Sequence, residues 1–142
     1  MKKISFQEMV EQISREVPRY NSHVYFFMRE ALDFTIKLFE KPLEGPGRHV
    51  SGSELLEGVR KYALQEYGPM AKTVLNRWGI HRCEDFGDVV FIMVEKGVLG
   101  KTEEDRKEDF SGGYDFDTAF LQPFRPSRRR ADVEAPALSA VP

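Results

Sequence analysis

Two stretches of this chain carry the same helix-start signal, and they restrict its fold more than any other feature. In each stretch a serine is followed three residues later by a glutamate: Ser5 by Glu8, and Ser51 by Glu54. In such a capping box the two side chains accept hydrogen bonds from backbone N–H groups that the first turn of a helix leaves unpaired. The two boxes therefore predict helices that begin near residues 6 and 52.

Apolar residues recur at helical spacing after each start signal. The first helix has one apolar stripe and ends at Pro18. A second helix, beginning after Ser22, is apolar around most of its circumference and is therefore predicted to be central. A loop rich in Pro and Gly at 41–47 precedes three further helices between positions 51 and 96, which Gly68-Pro69 and Gly79 separate.

The pattern changes after residue 97. A charged run, a glycine pair at 112–113 and alternating apolar residues up to Phe116 predict a short β-hairpin. Three helices followed by a hairpin is the order of a winged helix-turn-helix. The predicted fold is mostly α, with two N-terminal helices, a winged-helix-like three-helix unit and a small C-terminal β-hairpin. One domain is expected over 1–124, and the tail at 125–142, which is basic and then apolar, is expected to be disordered.

Composition excludes several classes of function. The 142 residues carry 21 Lys and Arg against 23 Asp and Glu, far from the positive balance of a general phosphate-backbone binder. A single cysteine cannot form an intramolecular disulfide, and the N-terminus lacks an apolar signal core. No apolar stretch approaches the roughly 20 residues of a membrane helix. The chain is expected to be cytoplasmic, with no membrane partner.

The net charge of −2 hides a segregation along the chain, because residues 1–81 carry +2, residues 82–124 carry −6 and residues 125–142 carry +2. The acidic side chains of the last predicted helix and the hairpin form a candidate surface for a basic protein partner: Glu84, Asp85, Asp88, Glu103, Glu104, Asp105, Glu108 and Asp109. The arginines of the tail are candidate contacts for an anion or phosphate: Arg125, Arg128, Arg129 and Arg130.

No catalytic residue, metal or cofactor is predicted. His81 and Cys83, with the two acidic residues that follow, form the one cluster of metal-ligand types, but a structural zinc site needs four ligands in pairs. Only His23 or His49 could complete such a set. The acidic neighbours of Cys83 also disfavour a thiolate. The carboxylates around the glycine pair, which could bind a hard cation, lack the spacing of an EF-hand loop; they are Glu108, Asp109, Asp115 and Asp117.

Motifs spread along the chain resemble an uncharacterised family of small conserved hypothetical bacterial proteins. The match covers roughly residues 5 to 124 and includes Tyr25–Asp33, His49–Gly58, Tyr67–Ala71, Cys83–Gly87 and Asp109–Phe116. The resemblance implies a bacterial source and a domain that recurs intact, and it implies no activity.

The favoured function is a non-catalytic protein-interaction or adaptor module that docks through the acidic surface or the arginine tail. One alternative is a nucleic-acid-associated regulator, in which the tail contacts RNA or DNA phosphates with help from Arg60, Lys61, Lys72 or Arg77. The other is a small enzyme of unknown reaction, which would need a pocket joining His49, His81 or Cys83 to Asp85 or Asp115.

The run Tyr25-Phe26-Phe27 is predicted to be core, unless one ring is exposed and marks a partner surface. The sequence leaves the oligomeric state open.

Overall fold

The computed structural model describes residues 5–42, 50–97, 99, 110 and 112–124. Within these ranges the α-helices are α1 (Phe6–Glu16), α2 (His23–Leu38), α3 (Gly52–Tyr67), α4 (Ala71–Arg77) and α5 (Cys83–Glu95). A 3-10 turn (Gly68–Met70) joins α3 to α4. A π-helical turn (Asp117–Leu121) and a 3-10 turn (Gln122–Phe124) end the described chain. The prediction of a mostly α fold is confirmed.

Both capping boxes are found at the helix starts that they predict. Ser5 Oγ accepts a hydrogen bond from Glu8 N at 3.1 Å, and Glu8 Oε1 accepts one from Ser5 N at 3.0 Å. Ser51 and Glu54 make the same reciprocal pair at 3.1 and 3.0 Å. Gly79, predicted to follow the end of a helix, has φ of 95°, in the left-handed region that favours glycine. Local signals therefore set the observed ends of these helices.

α2 is the central helix, as its apolar circumference predicts. It packs chiefly against α3 and also contacts α5, and its residues Val24, Tyr25 and Ala31 are fully buried. The crossing with α3 is close at Gly58, where a Cβ atom would lie 1.7 Å from Thr35 Oγ1. The Thr35 hydroxyl donates to the Ala31 carbonyl at 2.7 Å, so its polar group is satisfied inside the core.

The described part of the C-terminal segment packs back onto α3 and α5. Phe116 and Phe120 are buried with ring centroids 5.0 Å apart, and Phe116 lies 5.7 Å from Phe86 of α5. The Tyr114 hydroxyl donates to the Leu56 carbonyl at 2.9 Å and fastens the segment to α3. This segment therefore completes the core on the side where the two helices meet.

Several predicted features lie outside the described residues. They include most of the hairpin, at 98, 100–109 and 111, the tail at 125–142, and all but Lys41 and Pro42 of the loop at 41–47. Residues 113–115, at the end of the predicted hairpin, have no regular structure. The hairpin, and with it the winged-helix-like arrangement, stays a prediction. Over the ranges that are described, no helix combines the length and apolar character needed to cross a bilayer.

Candidate functional site

Asp85, predicted to lie on an acidic docking surface, is buried, with only 2% of the residue exposed. It is the third residue of α5, and its carboxylate accepts the backbone N–H groups of His81 at 2.9 Å and Arg82 at 3.3 Å. It also accepts hydrogen bonds from the Arg19 guanidinium at 2.9 Å and the Tyr20 hydroxyl at 3.3 Å. The prediction for Asp85 is wrong, because this carboxylate turns inward to cap its own helix and to hold the α1–α2 connection.

The two neighbouring acidic residues of α5 also contact the chain itself. Asp88 Oδ2 accepts from the Tyr20 hydroxyl at 3.1 Å and lies 3.6 Å from Arg19 Nη1, while Glu84 Oε2 accepts from Gly112 N at 3.3 Å. Burial, followed by the nearby carboxylates, raises the pKa of the Tyr20 hydroxyl, so Tyr20 remains a donor to them. These side chains are partly exposed, but each already accepts a hydrogen bond from the chain itself, which leaves fewer acceptor positions for a partner.

The remaining predicted site residues lie outside the described part of the chain. They are Glu103, Glu104, Asp105, Glu108 and Asp109 of the acidic surface, and Arg125, Arg128, Arg129 and Arg130 of the tail. Among the residues predicted to assist nucleic-acid binding, Arg60 is bonded to Glu57 and Lys72 to Asp117, each at 2.6 Å. Both of these cations are thus partly neutralised by a carboxylate.

Cys83 is a core residue. It is 1% exposed, and its Sγ donates to the Tyr114 carbonyl at 3.5 Å. Burial is the largest cause that raises the thiol pKa to about 11, so the thiol is protonated at neutral pH. His49, which could complete a ligand set with it, lies outside the described residues. Within 5–42, 50–97 and 112–124, no three His, Cys, Asp or Glu side chains form a group that could hold a metal ion.

Of the aromatic run at 25–27, two rings are core and one is exposed. Tyr25 and Phe27 are 0% and 4% exposed, whereas Phe26 is 39% exposed. Phe26 packs edge to face on Phe6 of α1, with ring centroids 5.2 Å apart. Because Phe6 covers part of this ring, Phe26 alone presents only a small apolar surface.

A second aromatic surface, built from several rings, crosses the junction of α2, α3 and α4. On α2, His23, Phe27, Glu30 and Phe34 follow a spacing of four, three and four residues, which places them on one face of the helix. Rings of α3 and of the residue after α4 extend this face. We call the set the aromatic row, and it consists of His23, Trp78, Tyr67, Phe27, Tyr62 and Phe34.

Neighbouring rings contact one another along the whole row. His23 stacks on Trp78 with centroids 6.2 Å apart and planes inclined by 6°. Trp78 meets Tyr67 edge to face at 5.8 Å, and Phe27 lies 5.5 Å from Trp78 and 6.3 Å from Tyr67. Tyr62 continues the row, because its ring centroid is 5.5 Å from that of Phe27 and 5.4 Å from that of Phe34.

The row is anchored in the core and open to solvent on its outer side. Phe27 is buried, His23 is exposed, and the other four rings are partly exposed. Isolated apolar residues are normal on a protein surface, but contiguous apolar patches mark sites of interaction. Tyrosine and tryptophan are also the side chains that most often dominate protein interfaces.

Two carboxylates flank the middle of the row. Burial is the largest cause that raises the pKa of the Tyr62 hydroxyl, and the exposed carboxylates of Glu66 and Glu30 raise it further. Glu66 acts in the same direction on the Tyr67 hydroxyl. No basic side chain contributes to either shift. In the part of the chain that the structure describes, no hydrogen bond or ion pair engages Glu30 or Glu66.

Helical periodicity assigns Phe27, Tyr67 and Trp78 to the interior and gives no sign that they join into one surface. The signal that could have found the row is the face of α2 on which His23 and Glu30 accompany two phenylalanines. A histidine and a glutamate at those positions indicate that the face reaches solvent. The contributions of α3 and α4 depend on helix packing, which the sequence does not show.

Comparisons of the chain with family models, curated proteins and solved structures found no match. The resemblance to small conserved hypothetical bacterial proteins therefore stays a prediction.

Proposed function

We propose that this chain is a non-catalytic protein-interaction module that docks a partner protein on the aromatic row. The observation that carries the proposal is the continuity of the row, in which each ring centroid lies within 6.3 Å of a neighbour and every ring except that of Phe27 is at least partly exposed. Rings supply large contact areas and lose little conformational entropy on binding, because each has only two rotatable side-chain bonds. A row of them suits an extended segment of another protein.

The proposal places the docking surface away from the acidic residues of α5. Asp85 is buried and fully engaged, and Asp88 and Glu84 accept hydrogen bonds from the chain itself. In this proposal the acidic run at 103–109 and the arginine tail are additional contacts.

A winged-helix-like arrangement of α3, α4 and α5 is part of this proposal. A cytoplasmic setting in a bacterium also belongs to the proposal. The nucleic-acid alternative is less favoured, since Arg60 and Lys72 are paired with carboxylates. The acidic side chains of α5 would also repel phosphates.

Selection from an unbiased library of displayed peptides, against the full-length protein, tests the proposal. Trp78 is the only tryptophan, so a peptide bound on the row should change the tryptophan emission. Tyr62→Ser should weaken the selected peptides by about 30-fold, the effect of losing a central contact of roughly 2 kcal/mol. Phe26→Ser removes a partly exposed ring outside the row and is the matched control.

Circular dichroism and urea unfolding of each variant establish that it is folded before its affinity is measured. Peptides that bind the wild type and Tyr62→Ser equally, or the absence of any selected peptide, would contradict docking on the row. Equal weakening by Phe26→Ser would also count against it, because the effect would then not be specific to the row.

A further inference from the structure

We infer that the segment bound by the aromatic row is cationic: an extended stretch of a partner protein whose arginine or lysine head groups lie against Tyr62 and between the carboxylates of Glu30 and Glu66. This inference rests on the proposed function and names the chemistry of its partner. It follows from charge complementarity at a surface that combines the faces of aromatic rings with negative charge.

The two carboxylates make the middle of the row electronegative. Both side chains are exposed. Glu30 lies between Phe27 and Phe34 on one face of α2, and Glu66 is one turn after Tyr62 on α3. Both carboxylates also raise the pKa of the Tyr62 hydroxyl. In the part of the chain that the structure describes, neither carboxylate pairs with a Lys or Arg side chain. An incoming cation would therefore displace no ion pair among the described residues, and its charge would be attracted by carboxylate and ring together.

The chain already holds one of its own cations in this way. The Arg19 guanidinium lies 4.9 Å from the centroid of the Tyr20 ring and donates to Asp85 at 2.9 Å. Arg29 shows the ring contact without the carboxylate, at 4.6 Å from the Phe6 centroid. A planar guanidinium can stack on a ring and still direct its N–H groups at a carboxylate, which makes arginine the better fit of the two cations.

A nucleic acid is the less suitable occupant of the same surface. Bases could stack on the rings, as they do on single-strand-binding proteins. Those proteins, however, surround the rings with basic groups that attract the phosphate backbone. Here the charges beside the tyrosines are carboxylates, which would repel phosphates.

The arginine cluster at 125–130 of this chain is a possible competitor, from the same copy or a second one. The binding experiment therefore uses full-length protein in which Arg125, Arg128, Arg129 and Arg130 are all changed to Ser. The probe is a fluorescent peptide of alternating arginine, glycine and serine. Its control is the same peptide with citrulline, the neutral analogue of arginine, at every arginine position.

Fluorescence anisotropy and Trp78 emission should both show the arginine peptide binding at least about tenfold more tightly than the citrulline peptide. The double variant Glu30→Gln/Glu66→Gln should abolish this preference. The matched double variant Glu11→Gln/Glu95→Gln removes two exposed carboxylates outside the row and should retain it. Wild-type protein, with its tail arginines intact, should bind the arginine peptide more weakly than the tail variant.

The outcomes separate this inference from the proposed function. If the arginine and citrulline peptides bind alike, or if Glu30→Gln/Glu66→Gln keeps the preference while Tyr62→Ser abolishes binding, the row docks a partner without selecting cations and the inference is overturned. If Tyr62→Ser has no effect on either peptide, the proposed function fails as well. A fluorescent single-stranded RNA or DNA oligonucleotide that binds the protein as tightly as the arginine peptide, and that loses its affinity in Tyr62→Ser, would overturn the inference in favour of nucleic acid.

Discussion

Asp85→Asn tests whether one buried carboxylate holds the start of α5 to the α1–α2 connection. All four groups that contact it are donors: Oδ1 accepts from Arg19 and Tyr20, and Oδ2 accepts from His81 N and Arg82 N. Asparagine has nearly the same shape, but one of its oxygens is replaced by an NH₂ group. If the NH₂ group faces His81 N and Arg82 N, two donors face another donor. If it faces Arg19 and Tyr20, only the guanidinium does, because the Tyr20 hydroxyl can also accept a hydrogen bond.

The loss can be estimated from those contacts. The amide will turn its NH₂ group toward Arg19 and Tyr20, since the Arg19 side chain is 59% exposed and can rotate into solvent. Two hydrogen bonds to a charged acceptor are then lost, but the Tyr20 hydroxyl keeps Asp88 Oδ2, 3.1 Å away, as an acceptor. We expect a decrease in the free energy of unfolding of about 2–4 kcal/mol. For a chain of 142 residues this lowers the Tm by roughly 10 °C.

Urea unfolding followed by Trp78 emission measures the change. Asp88→Asn is the control, because that side chain is 27% exposed, and we expect it to cost less than about 1 kcal/mol. If Asp85→Asn unfolds within about 0.5 kcal/mol of the wild type, or no more readily than Asp88→Asn, the carboxylate does not hold these elements together and the reasoning is refuted.

Three further predictions concern the fold. Gly58→Ala should destabilise the protein by roughly 2 kcal/mol or more in urea unfolding, because the added methyl group would meet Thr35 Oγ1 at 1.7 Å; a smaller loss would mean that α2 and α3 separate easily. Ser51→Ala should cost about 1 kcal/mol through loss of the cap, and Ser51→Asp should restore most of it; equal stability of all three would show that the box contributes nothing. Burial raises the pKa of the Cys83 thiol from 9.0 to about 11, so the unfolded thiol ionises first as the pH rises, and the free energy of unfolding should fall between pH 9 and 11. Alkylation of native protein should be slow at pH 8, and Cys83→Ala should reduce the alkaline loss of stability; rapid alkylation of the folded state would contradict the burial.

The ends of the helices were predictable because their causes are local. Ser51 and Glu54 are three residues apart, and their reciprocal hydrogen bonds form wherever the intervening backbone is helical. Gly79 takes a left-handed conformation that other residues adopt at a cost. The central position of α2 was predictable for a related reason, since a helix that is apolar on most sides must be covered on most sides.

The burial of Asp85 was not predictable from its neighbours in sequence. Its position near the start of a helix fits both a solvent-exposed carboxylate and a cap. What decides between them is Arg19, which lies 66 residues earlier and reaches the carboxylate only after α1 and α2 pack beside α5. The charge count for residues 82–124 treats every carboxylate as exposed. It therefore overestimated the negative charge of the predicted acidic docking surface.

The sequence by itself determined a mostly helical chain, the start of α1 and α3, and the buried face of α2, because backbone capping and apolar periodicity act over a few residues. Only the tertiary structure decided that Tyr62, Tyr67 and Trp78 join the rings of α2 in one row, and that Glu30 and Glu66 flank the same tyrosine. The physical reason is that a surface built from three helices depends on their crossing. That crossing is set by contacts such as Gly58 against Thr35, which join residues distant in the chain.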